Sequence, residues 1–231
     1  MDLEEQLLDS STEKERKTKM EKLICLLIGY LFGLFQTGYF YGKLNGVDIR
    51  NLGSGNAGTT NALRTLGVKA GLITLLGDVF KCAVAVLVVK GIYSGTHADI
   101  LPLLSIYAGF GAVLGHNYPF YLGFKGGKGI AAMAGMILST DLRMTAICLI
   151  VFILIVAITR YVSLGSLVVS VLFLAQLIVA GQLGQFGMEQ MQLLEMYGVG
   201  ALFVISAFWR HRANIARLKD GTENKISFKK K

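Results

Sequence analysis

The chain has 231 residues, 53% hydrophobic and only 16% charged, with 28 glycines and two prolines. Soluble domains are roughly a quarter charged, so a soluble globule of this size is excluded, as is bulk disorder, which needs low hydrophobicity. Three cysteines are too few for a disulfide scaffold, and the net charge of +8, which in a soluble protein would suggest nucleic acid, here marks one side of a membrane or sites for phosphate groups.

Residues 1–22 are polar and carry the run Glu13-Lys14-Glu15-Arg16-Lys17. They read as a mobile tail and not as a signal peptide. The apolar run that follows, Leu23 to Tyr41, is too long, and no Ala-x-Ala site comes after it. A helix needs ~20 apolar residues to cross ~30 Å of hydrocarbon. The runs 23–44, 70–92, 101–121, 143–159, 164–183 and 193–209 are read as spans. The stretch 130–139 is short, and reads as a broken helix or a re-entrant piece whose ends must be buried in protein. Cys25, Cys82 and Cys148 all lie in apolar segments and read as small buried hydrophobes.

The connections alternate in charge. Residues 45–69 hold Arg50, Arg64 and Lys69; residues 123–129 hold Lys125 and Lys128; the turn at 160–163 holds Arg160; and the segment from 210 onward is strongly basic. The connections 93–100 and 184–192 hold no Lys or Arg. Seven spans, with 130–139 crossing, put every basic connection on one side, which the positive-inside rule makes cytoplasmic. The N-terminus then lies outside, against the basic residues of its own tail (Lys14, Arg16, Lys17, Lys19 and Lys22). The expected fold is therefore an all-α integral membrane protein. It is a seven-transmembrane-helix bundle with one short or broken helix and a site at its cytoplasmic face. Its parts are a tail (1–22), one membrane domain (23–225) and a basic C-terminal tail (226–231).

Three motifs could carry chemistry. The first is Gly53-Ser54-Gly55-Asn56-Ala57-Gly58-Thr59-Thr60-Asn61, with Arg64 beyond it. Glycines let successive N–H groups turn toward one anion, and a helix starting near Thr60 would add its dipole. The plain alternative is a flexible connection. The second is Phe124-Lys125-Gly126-Gly127-Lys128-Gly129, which suits phosphate again, or is an ordinary basic loop. His116, just before it, reads as a helix-end histidine bonded to backbone. The third is Arg210-His211-Arg212-Ala213-Asn214, where a helix would place His211 and Asn214 on one face. That pair could hold a reacting hydroxyl, or the segment could simply lie on anionic lipid. Asp78 and Lys81, three apart in an apolar run, read as a structural pair facing the bundle. No metal-ligating constellation and no cofactor fingerprint is present. A transporter is disfavoured because no internal repeat is evident, and a metal-dependent phosphotransferase because no Asp cluster is.

These residues, with LLGDVFK at 75–81 and RYVSLGS at 160–166, resemble the bacterial acyl-phosphate:glycerol-3-phosphate acyltransferase family (PlsY) over residues 23–225. Ala57, Thr59, Cys82 and Ala213 depart from the usual family residues without removing a polar group assigned to catalysis. The resemblance implies a multi-pass enzyme of the bacterial plasma membrane. It would move a fatty acyl group from acyl phosphate to the 1-hydroxyl of glycerol 3-phosphate, without cofactor, metal or nucleic acid, as a monomer or otherwise. It implies His211, Asn214 and Ser54 as catalytic residues. Arg64, Lys128 and Ser163 would bind substrate with Gly53, Gly55, Asn56, Asn61, Gly126 and Gly127. An acyl phosphate is already activated, so direct attack by the hydroxyl is expected over an acyl-Ser54 intermediate.

Overall fold

The computed structural model describes residues 3–226, and among these every regular element is helical. The helices are α1 (Leu3–Gly33), α2 (Thr37–Leu44), α3 (Thr59–Leu66), α4 (Val68–Tyr93), α5 (Leu101–Asn117), α6 (Ile130–Thr140), α7 (Leu142–Thr159), α8 (Val162–Gln182), α9 (Gln190–Arg210) and α10 (Arg212–Lys219). Among the described residues, five stretches are long and apolar enough to cross a membrane: Glu15–Leu44, Val68–Tyr93, Leu142–Thr159, Val162–Gln182 and Gln190–Arg210. α7 is the most lipid-facing, with Ile147, Leu149, Ile150, Ile153, Leu154 and Ile158 exposed.

The first expected span differs from its reading in two ways. α1 starts at Leu3 and runs unbroken through the polar segment, so residues 3–22 form one rod with the apolar turns that follow. The apolar run 23–44 is in turn broken at 34–36, between α1 and α2. Gln36 sits wholly buried at that break, and its amide donates to the carbonyls of Gly33 (3.2 Å) and His116 (3.1 Å). A buried break needs such donors, because no water reaches the freed carbonyls.

α1 packs on α5 through matched glycines. A Cβ on Gly29 or Gly33 would run into the Ala108 or Ala112 carbonyl, and one on Gly111 or Gly115 into that of Leu26 or Tyr30. Four-residue spacing on both helices brings the backbones together, the association device of helices in lipid, where apolar burial drives little. Around this seam lie Cys25, Leu104, Val113, Met136, Phe173 and Phe203, all buried. Cys82 and Cys148 belong to the same core, and all three thiols are free.

The two ends of the bundle differ. At one end Lys22 pairs with Glu195 (2.6 Å) and His97 with Glu21 (2.9 Å), so the polar part of α1 lies beside the connections that lack Lys and Arg. The basic connections gather at the other end. α6 leaves Gly129 there and brings Ser139 to Lys90, near the far end of α4, where the lysine donates to the Ser139 carbonyl (2.6 Å). α7 then returns to Arg160, whose carbonyl accepts from the Ile226 amide (2.9 Å).

Candidate active site

Two glycine loops, the start of α10 and the chain beyond it enclose a cavity of about 500 Å³. Ser54, Asn56, Thr59, Thr60, Arg64, Lys128, His211, Asn214, Arg217 and Glu223 supply its polar lining, with Asp78 and His116 from α4 and α5. Ile130, Met133, Ile137, Cys148, Phe152, Val156 and Val169 supply its apolar lining from α6, α7 and α8. A cavity cationic on one side and oily on the other suits a phosphorylated amphiphile.

α9 ends at Arg210, and α10 starts at Arg212, so His211 sits at the joint and not within one continuous helix. It is buried, and its Nδ1 lies 2.7 Å from the Ala207 carbonyl. A carbonyl can only accept, so Nδ1 carries the proton and the lone pair falls on Nε2. Burial, and next the Lys128 charge, push the imidazole pKa down to about 4, which keeps the ring neutral at physiological pH.

Asn214 lines the same cavity with both ends of its amide engaged. Oδ1 accepts from Lys128 Nζ (2.6 Å), and Nδ2 donates to Glu223 Oε1 (2.7 Å). Glu223 also accepts from Ser163 Oγ (3.0 Å) and Arg217 Nε (2.8 Å). Burial alone would raise its pKa, but the hydrogen bonds from Asn214, Arg217 and Ser163 win and hold the carboxyl below its usual range. Arg64 Nη2 donates to the neighbouring Asn224 carbonyl (3.1 Å). Lys128 is pushed down to about 8 by burial, with Arg217, Arg210 and Arg64 adding like-charge repulsion against the pull of Glu223.

Glu223 and Asn224 escaped the sequence reading. The chain reaches them through Gly221, whose φ of +68° turns it back over the cavity. The run Asp220-Gly221 was a turn signal, but where a turn sends the chain depends on packing far from it.

The glycines behave differently from expectation. None of Gly53, Gly55, Gly126 and Gly127 lines the cavity. The Gly126 and Gly127 amides donate to the carbonyls of Asn117 (3.2 Å) and His116 (3.0 Å), while their own carbonyls accept from the Arg210 guanidinium at 2.7–3.0 Å. Gly55 N–H is spent on the Leu52 carbonyl (3.0 Å). The amides of Gly55, Gly126 and Gly127, expected to meet phosphate, are thus bonded within the protein. Asn61 is committed too, accepting from Ser54 N (2.9 Å) and donating to the carbonyls of Ile49 (3.0 Å) and Leu52 (2.9 Å). It shapes the loop. Asn56 likewise accepts from Gly58 N (3.0 Å). The Ser54 hydroxyl lines the cavity, and no base lies in hydrogen-bond contact with it among the described residues.

Asp78 and Lys81 lie 2.9 Å apart and form part of a larger cluster. Lys81 Nζ also reaches the Phe35 carbonyl (2.6 Å) and His116 Nδ1 (2.8 Å). His116 stands at the end of α5, where its carbonyl accepts from the Gly127 amide, while its ring meets Lys81 and lies against Gly127. No group of three His, Cys, Asp or Glu among the described residues is arranged to hold a metal ion.

The family model for glycerol-3-phosphate acyltransferase matches residues 23–221. A glycerol-3-phosphate acyltransferase of Clostridioides difficile is 44% identical over 216 residues, covering 90% of this chain and 97% of that one. One of Shouchella clausii is 40% identical, covering 88% and 95%. The crystal structure of PlsY, an integral membrane glycerol 3-phosphate acyltransferase in its glycerol 3-phosphate form, superposes with a TM-score of 0.77 at 32% identity. That match covers 89% of this chain and 96% of that one. The lysophosphatidic acid form of the same enzyme gives a TM-score of 0.75 at 30% identity.

Proposed function

The chain belongs to the glycerol-3-phosphate acyltransferase family and is a multi-pass membrane acyltransferase making lysophosphatidic acid; from that premise we propose that it takes its acyl group from acyl phosphate at the cytoplasmic face of the bacterial plasma membrane. The observation that carries this is a cavity joining Arg64, Lys128 and His211 to an apolar wall. Both substrates are phosphates and one bears a long chain, so one cavity must offer cations and oil together. Seven crossings are the topology that fits best, because α6 links the basic end at Gly129 to the Lys90 end in only 11 residues. The described basic loops then face the cytoplasm, with the C-terminus on that side and the start of α1 on the other.

Lys128 and Arg64 hold phosphate, Lys as a point charge and Arg through its fork. Asn214 aims Lys128, and Glu223 holds Asn214, Ser163 and Arg217 in register. His211 Nε2 accepts the hydrogen bond that aligns the 1-hydroxyl on the acyl carbon. The oxygen attacks that carbon, the carbon–oxygen bond to phosphate breaks, and the electron pair leaves on phosphate. An imidazole at about 4 is a weak base, so the proton finishes on a phosphate oxygen and His211 chiefly orients. Cations beside the carbonyl stabilise the charge that develops on it. Ser54, lacking a base, is not acylated and borders the bound phosphate.

The test supplies purified protein with acyl phosphate and glycerol 3-phosphate in a chelator. Equimolar phosphate and lysophosphatidic acid, with no acyl-protein after quenching, is the expected result. A trapped acyl-enzyme, or turnover only with a thioester donor, would overturn the reading.

A further inference from the structure

The two oxygens of Asp78 are treated unequally. Oδ1 takes every contact: Lys81 Nζ at 2.9 Å, Thr37 Oγ1 at 3.1 Å and His116 Nδ1 at 3.6 Å. Oδ2 has no hydrogen-bond partner among the described residues, although the side chain is only 1% exposed. A structural ion pair explains the first oxygen and leaves the second unexplained, and a buried carboxylate oxygen without a donor is costly. Asp78 also lines the cavity, beside His116, whose carbonyl holds the amide of Gly127 one residue before Lys128. The carboxylate is thus next to the phosphate-holding end and not remote from it.

Among the buried carboxylate and amide side chains of the cavity, the other acceptors are already occupied. Glu223 takes Ser163, Asn214 and Arg217, Asn214 Oδ1 takes Lys128, and Asn61 Oδ1 takes Ser54. His211 Nε2 is reserved for the attacking hydroxyl. A three-carbon phosphate acceptor brings one more donor, the hydroxyl on its middle carbon. We propose that Asp78 Oδ2 accepts the hydrogen bond of that 2-hydroxyl, which makes Asp78 a specificity-determining residue selecting a hydroxylated acceptor over one that lacks the group. Lys81, Thr37 and His116 would then serve to clamp Oδ1, so that only Oδ2 faces the substrate. The inference rests on the acceptor reading above. A site built to bond a hydroxyl rejects the analogue without it, because its own buried group is left unpaired.

The experiment compares glycerol 3-phosphate with 3-hydroxypropyl phosphate, which keeps the phosphate and the reacting hydroxyl but lacks the middle one. Wild-type protein and Asp78→Asn and Asp78→Ala are assayed with one acyl phosphate donor. The wild type is expected to favour glycerol 3-phosphate by roughly tenfold to a hundredfold in kcat/KM, and the ratio should fall severalfold or more in both variants. A purely structural Asp78 would lower both acceptors together and leave the ratio intact, and that result overturns the proposal. Wild-type protein that does not discriminate overturns it as well, whether or not the variants fold. Wild-type protein that acylates neither acceptor overturns the functional reading and this inference with it, a pattern distinct from the other two.

Discussion

In the loop 53–58 the backbone is wrapped around one side chain: the Asn61 amide, from the first turn of α3, gathers Ser54 N and the carbonyls of Ile49 and Leu52. In the loop 123–129 the backbone is held from outside, with Arg210 gripping the carbonyls of Gly126 and Gly127 while their amides lie on the end of α5. As sequences the two loops look interchangeable, each a glycine run followed by a cation. The amides of Gly55, Gly126 and Gly127 are spent inside the protein. Each loop delivers its cation, but to different depths: Lys128 is largely buried and held by Asn214, whereas Arg64 rests on a backbone carbonyl near the surface. Glycine in both places is permission for shape, and in the proposed function the charge that follows does the binding.

The sharpest way to break this comparison is to remove the cations. Lys128→Ala is expected to lower kcat/KM for glycerol 3-phosphate by about 10²–10³-fold, the scale for losing a preorganised charge-stabilising donor. Arg64→Ala is expected to cost less, about tenfold to a hundredfold, read in the same steady-state assay. Equal losses would mean that the two cations share one role. The next test uses pH. The bound cation must be charged, and Lys128 in the free enzyme is held at about 8. Activity is therefore present below that pH and lost above it. The prediction is a tenfold fall in kcat/KM per pH unit above about 8, removed or moved beyond pH 10 in Lys128→Arg.

Smaller effects probe the backbones. A Cβ on Gly127 would run into the His116 ring, so Gly127→Ala is expected to cost about 1–3 kcal/mol by overpacking. It should lower activity as well, by displacing Lys128. Gly55→Ala meets only the Arg50 carbonyl at 3.3 Å, with φ at +69°. It should cost about 1–2 kcal/mol through the left-handed backbone, with activity changed little. Thermal unfolding in detergent reads both. If Gly55→Ala were the more damaging of the two, the first loop would be the one under tighter constraint.

Much of this was legible beforehand, and its limits have physical causes. Apolar run length announces helices, so the segments that became α4, α7, α8 and α9 were placed within a few residues. Arg64, Lys128 and His211 stood out because charge beside glycine, or histidine at a membrane exit, is rare enough to mean something. The direction of the Gly126 and Gly127 amides was not legible, since it depends on Arg210, over 80 residues away. Glu223 was hidden because its partners Ser163 and Asn214 meet it only after the Gly221 turn. The break at 34–36 was hidden because Gln36 looks like one polar residue in an apolar run until the carbonyls of α5 are placed beside it.

The fold-back of residues 220–226 also has a consequence in time. During synthesis the N-terminal helices leave the ribosome first. A nascent chain that has finished α8 already holds Arg64, Lys128 and Ser163 and the apolar residues of α6, α7 and α8 that line the cavity. It still lacks His211, the proposed aligner of the hydroxyl, and Glu223, which ties α8 to α10. A half-made copy can therefore lodge in the bilayer and meet its substrates there without the parts that orient them. Competence arrives in one late step, after the bundle itself is complete.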